Sequence, residues 1–249
     1  MTREAALNTT TWRKLQFFFD TRLHVRLESL IVLLALSVAM TLLSPYFLSV
    51  SNILNILLAT STIGVLAIGA TLILSSNGLD LSLGSVLGFA GVVGAYLVVV
   101  LGMPWPFAII GALAAGTLAG AVNGFLVTRS RIPAFIVTLG MLGIARGFAL
   151  IIAPNGGAIY GLPSPVVFLG QGRPLGIPMP VIILLLTAIV AHYLLAYSRF
   201  GRHTLALGDN EAAARATGIP VERLRWKLYA ISGFMAGLAG LIFMARVNA

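Results

Sequence analysis

Seven long runs of apolar residues, separated by short polar segments, organise the chain: Leu30 to Leu48, Ile53 to Leu74, Leu83 to Leu101, Pro106 to Thr128, Ala134 to Ala153, Met179 to Tyr197 and Leu228 to Ala245. Each is close to the roughly 20 residues that an α-helix needs to cross about 30 Å of hydrocarbon. Only helices and closed barrels satisfy their own backbone in lipid, and runs this long and continuous exclude the short alternating strands of a barrel. The pattern predicts an all-α, polytopic transmembrane helical bundle of about seven spans.

Composition supports this. Of 249 residues, 59% are hydrophobic and 9% charged, and mean hydropathy is +1.01. A water-soluble domain carries about 25% charged residues. The net charge of +9 follows the edges of the apolar runs, which fits a membrane protein and argues against nucleic-acid binding. With the N-terminus in the cytoplasm, inside segments hold Arg3, Arg13, Lys14, Arg22 and Arg26, then Arg129 and Arg131. The segment before the last run adds Arg199, Arg202, Arg215, Arg223, Arg225 and Lys227. Arg173 alone falls in an outside segment, so the positive-inside rule favours seven spans with the N-terminus inside. Residues 1–26 read as a cytoplasmic tail and 27–249 as the membrane domain, with a cytoplasmic loop at 198–227. The long polar start and the missing cleavage site argue against a signal peptide.

Small residues recur at helical spacing: Ala112, Gly116, Gly120 and Gly124; Gly84, Gly88, Gly91 and Gly94; Gly140, Gly143 and Gly147; Gly233, Gly237 and Gly240. Such spacing lets helix backbones approach closely, so all four sets are expected to pack a compact bundle.

Two polar segments carry candidate chemistry. Asn77-Gly78-Leu79-Asp80-Leu81-Ser82 interrupts the apolar pattern without a Lys or Arg. It reads as a turn inside the membrane leading to a helix capped by Asp80 or Ser82. Asn77, Asp80 and Asn123 are candidate pathway residues for a hydroxyl-rich solute, against the plainer roles of caps and interhelical bonds. Arg146, deep in its run, is expected to face the bundle interior and pair with a polar group such as Asp80, the alternative being a stem that snorkels outward.

The second segment is Gly208-Asp209-Asn210-Glu211-Ala212-Ala213-Ala214-Arg215-Ala216-Thr217-Gly218-Ile219-Pro220. Asp209 or Asn210 suits an N-cap, Gly218 a C′ position, and Glu211 and Arg215 an i, i+4 pair. A helix of about two turns is too short to be stable alone in water. It needs a surface, either on this chain's inner face or on a partner. Pro220 fits the first turn of the next helix.

Gly208 to Pro220 resembles the loop motif of the permease subunits of ribose-, arabinose- and xylose-type ABC importers. Gly78 to Ser85, Asn123-Gly124, Pro133 to Met141 and Ser232-Gly233 through Gly240 resemble the same family in unbroken order. The resemblance implies that Gly208, Asn210, Glu211, Ala213, Ala214, Arg215 and Gly218 build a coupling helix that docks on a cytoplasmic ATP-binding subunit. It also implies a periplasmic sugar-binding protein that sets specificity, a second permease copy, and a location in the bacterial inner membrane. Chains of that family carry further spans, so the resemblance implies C-terminal helices beyond the seventh run. No Gly-x-x-x-x-Gly-Lys-Ser/Thr loop is present, so the chain is expected to be no enzyme, with no cofactor of its own and ATP on the partner. Cysteine is absent, and His24, His192 and His203 lack ligand spacing, so no metal site is expected. A stand-alone carrier would place ionisable groups within spans, where only Arg146 and Asp80 qualify. A membrane-embedded enzyme would need paired acids or clustered histidines, and neither is found.

Overall fold

The computed structural model describes residues 30–130 and 132–248; the tail at 1–26 and Arg131 lie outside them. The chain divides into two compact units, Met1–Asn55 and Ile56–Ala249. In the first, α1 covers Leu30–Leu43 and α2 begins. The others follow in order: α2 (Val50–Leu74), α3 (Leu83–Ala95), α4 (Pro106–Arg129), α5 (Ala134–Ile152), α6 (Ser164–Gln171), α7 (Met179–Tyr197), α8 (Arg199–Asp209), α9 (Glu211–Ala216) and α10 (Val221–Val247). Six helices are long and apolar enough to cross a membrane, and α1 is a shorter apolar one. No strand occurs among the described residues. The chain is a polytopic helical bundle, as its apolar runs predict.

Proline and glycine mark the boundaries. Pro106 opens α4, Pro133 precedes α5, Pro178 precedes α7 and Pro220 precedes α10. Proline at a helix start gives up an N–H that has no intrahelical partner there. α3 ends in a π-helical turn, Tyr96–Val100, closed by the Leu101 N–H donating to the Tyr96 carbonyl at 3.1 Å. The segment between the apolar runs of α5 and α7 holds the short helix α6.

In the second unit α10 is the central element, enclosed along most of its length. Its glycines meet those of α4 backbone to backbone. A β-carbon at Gly116 would lie 2.6 Å from the Gly237 nitrogen, and one at Gly120 would collide with the Tyr229 carbonyl oxygen. Gly91 of α3 faces the Gly240 carbonyl in the same way, and Gly170 of α6 sits against the backbone of Ala245 and Arg246. Close approach of this kind maximises van der Waals contact where lipid removes the hydrophobic difference between helix and solvent.

Not every small-residue set is used so. Nothing lies within 4 Å of a β-carbon at Gly84, Gly88, Gly140, Gly143 or Gly147, which corrects the expectation that all four sets pack the bundle. On α5 the inward face runs through Val137, Thr138 and Ala145. The 100° step per residue carries Gly140, Gly143 and Gly147 to the far side.

The difference is testable. In Gly120→Ala the collision is with a backbone oxygen that cannot turn away. Overpacking costs about 1–3 kcal/mol, more than the roughly 1 kcal/mol that helix propensity returns. Thermal unfolding in lipid nanodiscs should show a lower Tm for Gly120→Ala and an unchanged or higher Tm for Gly140→Ala. Equal responses would contradict the packing described.

Candidate functional site

At one end of the bundle, a cavity of about 440 Å³ opens between α9, the start of α10, the α4–α5 connection and the break after α2. Asn77, Gly78, Thr128, Pro133, Glu211 and Arg225 line it, together with Tyr229. Two structures meet there: a platform that carries α9, and an irregular segment between two spans.

The platform is built from its caps outward. The Asn210 side chain accepts from the Ala213 N–H at 3.0 Å, closing the N-terminus of α9. At the other end Gly218 has φ +83°, and Gly218 and Ile219 donate back to the carbonyls of Arg215 and Ala214. This left-handed C′ position is where glycine carries no penalty. Ala214 points inward and is 3% exposed, packed with Leu72, Leu207, Val221, Leu224 and Leu228. Ala212, Ala213 and Ala216 face out. The helix therefore rests on this chain's own end face and offers a smooth outer surface.

Four charged side chains fix its orientation. Glu211 accepts from Arg215 at 2.7 Å and from Arg225 at 2.8 Å, while Arg215 also pairs with Glu222. Hydrogen bonds from Arg225, then from Arg215, hold the Glu211 carboxyl below the usual glutamate range. Glu222, Arg225 and Tyr229 were not among the residues expected at the site. Their i, i+3, i+7 spacing puts them on one face of α10 and was legible as such.

The break after α2 is tied by side chains instead of a helical ladder. Asn77 takes φ +56°, a left-handed conformation that asparagine tolerates better than most residues. Asp80 Oδ1 accepts from the Ser82 N–H at 2.9 Å and from Ser82 Oγ at 2.6 Å. Ser82 occupies the N-cap of α3 without a capping bond of its own. Its Oγ instead accepts from Asn123 Nδ2 of α4 at 3.0 Å. Tyr229 of α10 donates its hydroxyl to the Leu79 carbonyl at 2.8 Å. Ser82, Asn123 and Tyr229 are all buried, and Asn123 Oδ1 has no donor among the described residues. Leaving such an atom unpaired costs about 1–3 kcal/mol.

Of the expected site residues, then, Asp80 and Asn123 meet through Ser82, and Asn77 lines the cavity. Arg146 stands apart. It is exposed on α5, one residue beyond the inward-facing Ala145. The three ion pairs found among the described residues do not include it. The expected interior position and pairing with Asp80 are not formed, because the 100° step from Ala145 turns Arg146 away from the core. Gly208 and Ala214 also differ from expectation. Gly208 lies in the last turn of α8, pressed against the Ser75 carbonyl, and Ala214 is buried, so neither offers a surface to a partner.

The model of the family described as "Branched-chain amino acid transport system / permease component" matches residues 52–249. The chain belongs to this permease family. It is 39% identical to the ribose import permease protein RbsC of Escherichia coli (strain K12) over 224 residues, covering 89% of this chain and 70% of that one. It is 36% identical to the D-allose transport system permease protein AlsC of the same strain, over 83% of this chain and 64% of that protein. It is also 36% identical to the L-arabinose ABC transporter permease protein AraH of Azospirillum brasilense, over 87% of this chain and 63% of that protein. No solved structure matches it. The permease is thus a multi-pass transport component.

Because Glu211 has a lowered pKa, its pairing contributes fully at pH values above the ordinary glutamate value of 4.5 and is lost as pH falls through the lower folded value. Hydrogen exchange of the α9 amides, corrected for intrinsic rates, should show constant protection from pH 7 to 5. Protection should fall only below 4.5. Loss of protection already near pH 6 would contradict the clamp.

Proposed function

We propose that this chain is the membrane-spanning permease subunit of an ATP-binding-cassette importer for a sugar or polyol in the bacterial inner membrane. A periplasmic binding protein delivers the solute, and a cytoplasmic ATP-binding subunit docks against α9. ATP is hydrolysed on that subunit, and the permease holds no cofactor of its own. A second permease copy completes the passage.

The observation that carries this reading is the 39% identity to a ribose import permease over 89% of the chain. The shape of α9 supports it. A six-residue helix is too short to hold itself in water, yet here it is capped at both ends, anchored by Ala214 and clamped by ion pairs. What remains outward is a face of small side chains, suited to fit a groove on another protein. The charge pattern supports a cytoplasmic position for that face. Among the described residues the fully buried polar side chains are hydroxyls and one amide, Asn123, with the carboxylate of Asp80 only partly buried. That chemistry suits a hydroxyl-bearing solute better than ion coupling, which uses buried ionisable groups.

The test separates the two faces of α9. Ala213→Glu should abolish co-purification of an ATP-hydrolysing subunit and uptake of radiolabelled ribose, allose or arabinose, with Tm unchanged. Ala214→Glu buries an unpaired charge and should lower Tm instead. Retention of the subunit in Ala213→Glu would overturn α9 as the docking surface.

A further inference from the structure

The break between α2 and α3 is tied to the structure at three places, and two belong to the elements that flank α9. α8, which leads into α9, presses Gly208 against the Ser75 carbonyl so closely that no β-carbon would fit. α10, which leaves α9, donates the Tyr229 hydroxyl to the Leu79 carbonyl at 2.8 Å. The third tie, Asn123 to Ser82 at 3.0 Å, comes from α4. The break thus lies between one fixed wall and two elements bound to the platform.

The platform and α10 are also joined directly. Arg225 pairs with Glu211 of α9 at 2.8 Å, and Arg225 and Tyr229 lie one helical turn apart on α10. A continuous path runs from the Glu211 carboxylate through the Arg225 guanidinium, one turn of α10 and the Tyr229 hydroxyl to the Leu79 carbonyl. The bonded carbonyl belongs to a stretch with few bonds of its own. Asn77 is in the left-handed region, and residues 78–82 form no helix. Irregular backbone of this kind changes conformation at far lower cost than the helices on either side.

We infer that the Asn77–Ser82 break is a movable gate segment, and that Tyr229 is the positioning residue that ties it to the α9–α10 platform. A displacement of α9 is delivered through Arg225 and Tyr229 to the Leu79 carbonyl, while Asn123 holds the far end of the break at Ser82. Coupling of this type travels through contiguous contacts that have two discrete arrangements. The inference rests on the reading of α9 as the surface that a partner moves.

The chain contains no cysteine, so a single introduced thiol reports on one position. Leu81, 38% exposed, reports on the break, and Leu175, 100% exposed in the segment between α6 and α7, serves as the reference. The protein in lipid nanodiscs, without any ATPase, is labelled with a membrane-impermeant maleimide. Arg225→Gln should raise the labelling rate of Leu81→Cys about threefold or more, and in the Tyr229→Phe background that gain should shrink to about 1.5-fold or less. The rate at Leu175→Cys should stay constant. The inference is overturned if Arg225→Gln leaves Leu81→Cys unchanged or acts equally with and without the Tyr229 hydroxyl. A parallel change at Leu175→Cys, meaning general loosening, also overturns it. A second arm adds the co-purified ATP-hydrolysing subunit and compares nucleotide-free with ATP–vanadate-trapped complex. A nucleotide-dependent rate at Leu81→Cys that Tyr229→Phe removes supports both readings. If the first arm succeeds and the rate ignores nucleotide, the linkage stands and the docking of an ATPase on α9 fails.

Discussion

Everything in the second unit hangs on the backbone contact between α4 and α10. In lipid, two apolar helices gain nothing from leaving solvent, so they associate only if their surfaces fit at short range. Gly116, Gly120 and Gly124 on α4 and Gly233 and Gly237 on α10 supply that fit by removing side chains where the axes are nearest. The geometry that results sets where Tyr229 and Trp226 come to lie. Trp226 donates its indole N–H to the Ala121 carbonyl at 3.0 Å, which fixes the rotation of α10 about its axis. With that rotation fixed, Tyr229 faces the break and Arg225 faces α9. A side chain at Gly120 would disturb all three.

Much of this was legible in the sequence, for definite reasons. Long apolar runs in lipid have few structural solutions, so the spans follow from length and composition alone. The caps of α9 were legible because Asn210 and Gly218 are residue types selected by local backbone geometry, and local geometry needs no knowledge of the fold. The i, i+4 pair of Glu211 and Arg215 is likewise contained within one helix.

What was not legible depends on tertiary placement. The spacing of Gly140, Gly143 and Gly147 is the same as that of the packed glycines on α4, and periodicity does not say which face of a helix meets a neighbour. Arg146 shows the same limit: a charge deep in a span has several ways to be accommodated, and the choice turns on a single 100° step from Ala145. Gly208 resembled part of a docking motif, but its lack of a side chain serves the contact with Ser75, a residue more than a hundred positions earlier. The spacing of Tyr229 puts it on the face of Glu222 and Arg225, but its role was not legible, because an aromatic residue in an apolar run has the pattern of ordinary core. Only the 2.8 Å contact with Leu79 distinguishes it.

The clamp around Glu211 also shows how strength and direction are divided. Ion pairs this exposed are screened by solvent, so these four side chains orient α9 more than they hold it in place. The holding is done by the apolar cluster beneath, where Leu207, Val221 and Leu228 are almost wholly buried. An apolar cluster has no preferred direction and would let α9 slide or rotate on it. The ion pairs remove that freedom, because Glu211 must satisfy Arg215 on its own helix and Arg225 on the next one together. Arg225 and Tyr229 both belong to α10, one unbroken helix of 27 residues, so the side chain that meets α9 and the one that meets the break are held at a fixed spacing of about one turn. Weak, directional contacts placed over a strong, undirected one thus fix how the short helix sits against the long one.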